Sequence, residues 1–107
     1  MAESHPIDRL FALIAARKGA DPQSSYTAQL LQKGVAHCAK KLGEEAVETA
    51  LAAVSGDRGA ITAESADLLY HLLVTWVATG VTPAEVYAAL EAREGRSGLA
   101  EKAARKS

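Results

Sequence analysis

The sequence predicts an all-α fold, a helical bundle of four main helices. Hydrophobic residues make up 49% of the 107 positions, enough to form a core, and this length suits a single domain spanning residues 1–107. Alanine is abundant and only five residues are aromatic, which favours closely packed helices over a sheet. Apolar residues also recur at helical spacing in segments that end at glycines.

The first two predicted helices are separated by the loop segment GADPQSS. The first covers about residues 6–17, with Gly19 after its end, because its apolar residues share one helical face: Ile7, Leu10, Phe11 and Ile14. A serine at position 24 or 25 can cap the second helix. Its apolar pattern reaches Gly34, continues beyond it and ends at Val54, where the sequence SGDRG breaks the helix.

The last two helices have clear start and stop signals. Asp57 can cap the third, which carries a long apolar run and stops at Gly80. The segment TPAE at 82–85 predicts the start of the fourth, with a capping threonine, a proline at the first helical position and a glutamate at the third. This helix ends near Gly95, and residues from about 95 to 107 form a basic tail.

The third helix motivates a prediction about assembly. Its segment from Leu68 to Val77 is apolar nearly all round, and such a helix must be covered on every side. Four helices in a short chain would struggle to cover it, so we expect a homodimer whose core is shared between subunits. The alternative is a compact monomeric bundle with this helix at its centre.

Composition excludes several classes of protein. The formal net charge of −1 gives no overall basic field, so we expect no nucleic-acid partner, and a nucleotide ligand would need local charges. The single cysteine excludes an internal disulfide and a multi-cysteine zinc site. The first residues lack the pattern of a signal peptide, and the longest apolar run is too short to cross a bilayer. We therefore expect a cytoplasmic protein without a membrane partner.

Two acidic clusters lie on the second and third helices, in the strings KKLGEEAVE and ESADLLYH. Glu45 and Glu48 are three residues apart, as are Glu64 and Asp67, so each pair shares a helix face. In an antiparallel hairpin the two pairs lie at the same height and can converge. Four close carboxylates need a compensating cation, and oxygen ligands suit Mg²⁺. The alternative is that these are solvated surface acids, which are common on helices.

A di-iron site is a further reading of inward-facing glutamates in a bundle. Such sites usually take ligands from Glu-x-x-His motifs. Here the positions three residues after Glu45 and Glu64 hold Glu48 and Asp67. Ligation by oxygen alone favours magnesium or manganese over iron.

The acidic strings also resemble a known signature. GEEAVE, then fifteen residues, then ESAD is similar to the E-E-x-x-E…E-x-x-D pattern of the all-α NTP pyrophosphatases, the MazG-like superfamily. Within it, four longer strings closely resemble the phosphoribosyl-ATP pyrophosphatase family of histidine biosynthesis: SYTAQLL, KKLGEEAVETALAA, ESADLLYHLLV and GRSGLAEKAARK. The resemblance covers about residues 10–106. It implies a nucleotide-binding hydrolase that converts phosphoribosyl-ATP to phosphoribosyl-AMP and pyrophosphate with Mg²⁺.

The resemblance assigns roles to individual carboxylates. Glu45, Glu48, Glu64 and Asp67 match the metal ligands of the superfamily. Glu44 matches the first glutamate of the signature, where it would help bind a second metal or orient water. A carboxylate not fully occupied by metal would take the proton of the water, so Glu44 and Glu45 are the candidate catalytic residues. The cyclohydrolase domain that often accompanies this activity is not expected in so short a chain, which resembles the stand-alone form.

Basic and polar neighbours complete the candidate site. Lys41, with Lys40, is either a triphosphate contact or a partner in a surface ion pair, and Arg96 and Lys102 in the tail are weaker candidates for substrate binding. His71 lies one turn after Asp67 and could support that carboxylate by a hydrogen bond, although a buried core histidine is the commoner case. Tyr26 and Tyr70 could contact a base or ribose, but core packing is the favoured interpretation.

Two alternative functions remain open from the sequence. A housecleaning hydrolase of another nucleoside triphosphate would share the metal site, and turnover of different nucleotides would separate it from the first reading. A non-catalytic helical interaction module would neither bind Mg²⁺ nor release pyrophosphate from any nucleotide.

Overall fold

In a computed structural model, which describes residues 5–95 together with Lys102 and Arg105, the chain forms five α-helices and no strand. The helices are α1 (Pro6–Ala16), α2 (Tyr26–Lys33), α3 (Val35–Ser55), α4 (Arg58–Thr79) and α5 (Pro83–Glu94). The predicted all-α class is confirmed. The count differs from the predicted four, because the second predicted helix is divided into α2 and α3.

Gly34 separates α2 from α3. Its backbone has φ 96° and ψ 175°, a region that is essentially restricted to glycine. Its N–H donates to the Leu31 carbonyl at the end of α2, and its own carbonyl accepts from the Cys38 N–H at the start of α3. The apolar pattern runs through this position without interruption, but the chain changes direction there, and α2 packs against both α3 and α4.

We expect Gly34→Ala to destabilise the protein by about 1–3 kcal/mol, because a Cβ atom strains this backbone conformation. Gly43 is the matched control, since it lies inside α3 and a Cβ there meets no atom within 4 Å. Gly43→Ala should stabilise the fold by about 0.5–1 kcal/mol. Equilibrium unfolding in urea at one protein concentration measures both changes. Equal stability of Gly34→Ala and the wild type would show that α2 and α3 can join without this conformation.

The predicted capping signals are found at the helix ends. The Ser25 hydroxyl accepts from the Ala28 N–H, and the Asp57 carboxylate accepts from the N–H groups of Gly59 and Ala60. At α5 the predicted capping box is complete, with reciprocal hydrogen bonds between Thr82 and Glu85. These caps satisfy N–H groups that the helices cannot pair internally, and the one at Asp57 keeps the turn between α3 and α4 short.

The core lies around α4. Its buried residues come from four helices: Ile14, Leu30, Cys38, Leu73, Val74 and Val77. Leu73 and Val74 are fully buried and Trp76 is half-buried, so one chain covers most of this helix. Leu69 of α4 nevertheless remains 42% exposed in the single chain, so a core shared between two subunits stays a prediction.

Within the described part of the chain, no single helix has the length and apolarity required to cross a membrane. The pair α4 and α5 meets that criterion only when the two helices are taken together across a bend of 115°.

Candidate active site

The hairpin of α3 and α4 positions the acidic residues. These two helices make the most extensive helix–helix contact among the described residues. Midway along it, the Thr49 hydroxyl lies 2.8 Å from the carbonyl oxygen of Glu45, on its own helix, and 3.2 Å from that of Glu64, on the other. This contact ties the two helices together at the height of two acidic residues. Thr49 is not predictable as a site residue from the sequence, where its only signal is its place one turn after Glu45.

Three carboxylates meet at this height. One oxygen each from Glu45, Glu48 and Glu64 lies within 4.8 Å of the other two, and we call these three residues the acidic cluster. Glu45 and Glu64 are half-buried, whereas Glu48 is exposed. Asp67, the fourth predicted member, is exposed and lies outside this group of three. The structure thus brings together three of the four predicted residues and places Asp67 at the edge.

Burial and mutual repulsion make the cluster electrostatically unfavourable. Burial raises the pKa of the Glu45 carboxyl, and the charges of Glu48 and Asp67 raise it further, against an opposing effect of Lys41. The pKa of Glu64 is likewise raised by burial first and then by Glu48, Glu45 and Asp67. Asp67 is therefore close enough for its charge to act on both residues. A group arranged in this way needs positive charge.

The neighbouring side chains among the described residues do not compensate the charge of Glu45. Oε2 of Glu45 is buried and has no hydrogen-bond partner there, which is costly for a carboxylate. His71 approaches Glu45, with Nε2 4.0 Å from Oε1, a distance too long for a hydrogen bond. Burial lowers the pKa of His71, and Lys41 lowers it further, which favours the neutral imidazole. His71 was predicted to support Asp67, but its close acidic neighbour is Glu45.

The donor set fits a divalent cation. Mg–O bonds are about 2.1 Å long, so two ligands on opposite sides of a Mg²⁺ ion are about 4 Å apart, close to the spread of the cluster oxygens. Carboxylate oxygens are the ligands that this hard cation prefers. The unpaired Oε2 of Glu45 gives the ion a buried oxygen that the protein otherwise leaves without a partner.

The basic candidates lie in different surroundings. Lys41 forms an ion pair with Glu44, with Nζ 3.2 Å from Oε1, and both side chains are partly exposed. This pair forms the rim of the candidate site, next to the acidic cluster. Glu44 itself is not among the three clustered carboxylates. Lys40 and Lys102 are exposed. Arg96 and most of the basic tail lie outside the described residues.

The two tyrosines, considered together from the sequence, have different environments. The Tyr70 hydroxyl shares a hydrogen bond with the Thr27 hydroxyl, which joins α4 to α2. Its ring also packs edge-on against His71, with centroids 5.0 Å apart. Core packing therefore describes Tyr70 well. Tyr26 is 51% exposed, and its ring contacts His71 from another side, at 6.4 Å.

Comparison with known proteins gives consistent results. A family model described as phosphoribosyl-ATP pyrophosphohydrolase matches residues 7–94, which include the whole acidic cluster and Asp67. A phosphoribosyl-ATP pyrophosphatase of Parvibaculum lavamentivorans is 68% identical over 97% of this chain and 95% of its own length. A protein with the same name from Azospirillum brasilense is 59% identical over 94% of this chain and 91% of its own length. Another, from Dinoroseobacter shibae, is 63% identical over 91% of this chain and 95% of its own length.

Proposed function

The chain belongs to the phosphoribosyl-ATP pyrophosphohydrolase family, and we propose on this basis that it hydrolyses phosphoribosyl-ATP to phosphoribosyl-AMP and pyrophosphate, the second step of histidine biosynthesis. The observation that carries the proposal is the 68% identity, over nearly the full length of both chains, to a phosphoribosyl-ATP pyrophosphatase. In this reaction water adds across the anhydride between the α- and β-phosphates. A nucleotide substrate and a buried free cysteine, Cys38, also suit an enzyme of the cytoplasm.

We assign the metal site to the acidic cluster together with Asp67. Support comes from the convergence of the three clustered oxygens, the unpaired Oε2 of Glu45 and the influence of the Asp67 charge on Glu45 and Glu64. A Mg²⁺ ion held there would neutralise phosphate charge and lower the pKa of bound water. His71 backs this site by packing against Glu45 on the side away from solvent, with 6% of its surface exposed.

Basic residues next to the acidic cluster are proposed to bind the phosphates, and two glutamates are proposed to accept the proton. Lys41 is partly exposed and next to the cluster, so its ammonium can leave Glu44 for a phosphate oxygen of the substrate. Glu44 and Glu45 are the carboxylates proposed to accept the proton of the attacking water. Lys40, Lys102 and Arg96 are proposed as further phosphate contacts because of their charge.

A direct assay tests this function. The purified protein should release pyrophosphate from phosphoribosyl-ATP in the presence of Mg²⁺, and release should stop with EDTA and return with excess Mg²⁺. Turnover of ATP, dUTP and dCTP should be far slower under the same conditions. Faster turnover of dUTP or dCTP would instead assign the protein to the housecleaning hydrolases. No release from any of these nucleotides would favour a helical interaction module.

We further propose that the enzyme is a homodimer. Three apolar residues follow one another along one stripe of α3, and all are exposed in the single chain: Val47 (60%), Leu51 (65%) and Val54 (87%). Their spacing places them on the side of α3 opposite Glu45, Thr49 and buried Ala52, which face α4. A continuous apolar stripe on a helix is typical of a subunit interface. A second copy of the chain would cover this stripe and leave the acidic cluster open on the hairpin.

A further inference from the structure

Tyr26 differs from the other aromatic residues of this protein. The other four are at least half-buried, whereas half of the Tyr26 surface is exposed. It occupies the first position of α2. An exposed aromatic ring contributes little to the stability of the fold that carries it, and a ring beside a polar site is well suited to contact a ligand.

One contact of Tyr26 and one contact of its neighbour His71 locate Tyr26 near the candidate active site. Its ring meets the His71 ring at an angle of 88°, with centroids 6.4 Å apart, and His71 in turn lies 4.0 Å from the Glu45 carboxylate. Lys41 lies on the same side. Its pKa is raised mainly by the hydrogen bond and charge of Glu44, with a smaller contribution from the charge that Tyr26 carries when its phenol is ionised. A single side chain, His71, therefore separates the Tyr26 ring from the acidic cluster.

The backbone on both sides of Tyr26 is fixed. Ser25 caps α2 by accepting a hydrogen bond from the Ala28 N–H, at 3.1 Å. Thr27 is joined to Tyr70 of α4 by their hydroxyl groups, and Tyr70 packs against the same His71 ring that supports Tyr26. The Tyr26 ring is thus held on a short rigid helix start, and little conformational entropy would be lost if a ligand packed on it.

We propose that Tyr26 binds the purine base of the nucleotide substrate by stacking, an inference that rests on the proposed hydrolysis of a nucleoside triphosphate at the acidic cluster. In such a substrate one ribose separates the base from the α-phosphate. A triphosphate bound between the cluster and Lys41 therefore places its base at the edge of the site, where Tyr26 lies. Stacking on an aromatic ring suits any purine and needs no hydrogen bond from the ring. Tyr26 would then contribute to affinity for the base, while the carboxylates act on the phosphates.

The test compares Tyr26→Ala with Tyr26→Phe. For phosphoribosyl-ATP, the alanine variant should raise KM by about 5- to 150-fold, the range expected for a lost base–aromatic stack, with a much smaller change in kcat. The phenylalanine variant should keep KM within about threefold of the wild type, since the stacking face remains. Tyr87→Ala is the matched control, because Tyr87 lies on α5 and its hydroxyl donates to Asp8 of α1. It should leave KM unchanged.

Inorganic tripolyphosphate provides a probe without a base. Its inhibition constant, measured in Mg²⁺, should be the same for the wild type and Tyr26→Ala if the ring contacts only the base. An unchanged KM in Tyr26→Ala would overturn the inference. So would a parallel loss of tripolyphosphate binding and kcat, which would mean that Tyr26 acts by supporting His71. Loss of the dimer in gel filtration would assign the ring to a subunit contact instead.

Failure of the proposed function gives a different result. If the wild type hydrolyses another nucleoside triphosphate but not phosphoribosyl-ATP, the assigned substrate is wrong, and the same comparison made with the accepted nucleotide still decides the role of Tyr26. If the wild type hydrolyses none, both the function and the stacking role are overturned.

Discussion

Glu45→Gln should reduce pyrophosphate release by at least about 100-fold. Changing a residue that only hydrogen-bonds to a metal ligand already lowers activity by about 10- to 100-fold, and loss of the ligand itself should lower activity at least as much. The change removes one charge and one anionic ligand but preserves the shape of the side chain. Glu45 is the appropriate residue because only 16% of its side chain is exposed and its Oε2 has no partner among the described residues.

The same variant should be at least as stable as the wild type when no metal is present. The neutral amide relieves repulsion with Glu48 and Asp67, and it can donate hydrogen bonds to carboxylates of the cluster. Added Mg²⁺ should raise the melting temperature of the wild type, since it binds the folded state, and raise that of the variant much less. Differential scanning fluorimetry with and without Mg²⁺ measures both effects.

Two further variants sharpen this experiment. Glu91→Gln makes the same chemical change on the exposed surface of α5 and should leave activity and the Mg²⁺ response unchanged. Asp67→Asn should also lower activity strongly, although the residue lies at the edge of the cluster. Full activity in Glu45→Gln would rule out the assigned metal site. An unfolded variant would show that the side chain is needed for the fold itself.

Leu51→Glu should convert the protein from a dimer to a monomer. Leu51 lies at the centre of the apolar stripe on α3, and a carboxylate at that position would lose its hydration when two subunits meet. Sedimentation velocity at micromolar concentration should give about twice the chain mass of 11.2 kDa for the wild type and one chain mass for the variant.

Leu90→Glu is the control for this change, because Leu90 is similarly exposed, at 55%, but lies on α5. It should leave the dimer intact. A monomeric wild type would contradict the proposed assembly, and the apolar stripe would then be an ordinary exposed surface. Dissociation by Leu90→Glu but not by Leu51→Glu would move the interface to α5.

Helix ends were predictable from the sequence because capping is local chemistry. Thr82 and Glu85 form reciprocal hydrogen bonds within a single turn, and Asp57 caps the helix that begins at the next residue. The division at Gly34 was not predictable in the same way. A glycine within an apolar pattern is compatible with a continuous helix, and only the packing of α2 against its neighbours selects the break.

The candidate site shows a similar limit. Helical spacing was sufficient to predict that Glu45, Glu48 and Glu64 would meet across a hairpin. The rotation of α4 about its own axis depends on core packing around Leu73 and Val74, and that rotation decides whether Asp67 points into the cluster or lies at its edge. It also turns His71 towards Glu45. The exposure of Tyr26 depends on how α2 folds back, so the sequence could not distinguish Tyr26 from Tyr70.

The contact of Thr49 with the carbonyl groups of Glu45 and Glu64 has a consequence for how this chain can change in length. One residue inserted within α4 between Arg58 and Glu64 would rotate one part of that helix relative to the other by about 100° and remove Glu64 from the cluster. A single-residue insertion or deletion in this part of α4 is therefore incompatible with the site. The segment between α1 and α2, which lies outside the hairpin, can vary in length while the three carboxylates keep their register.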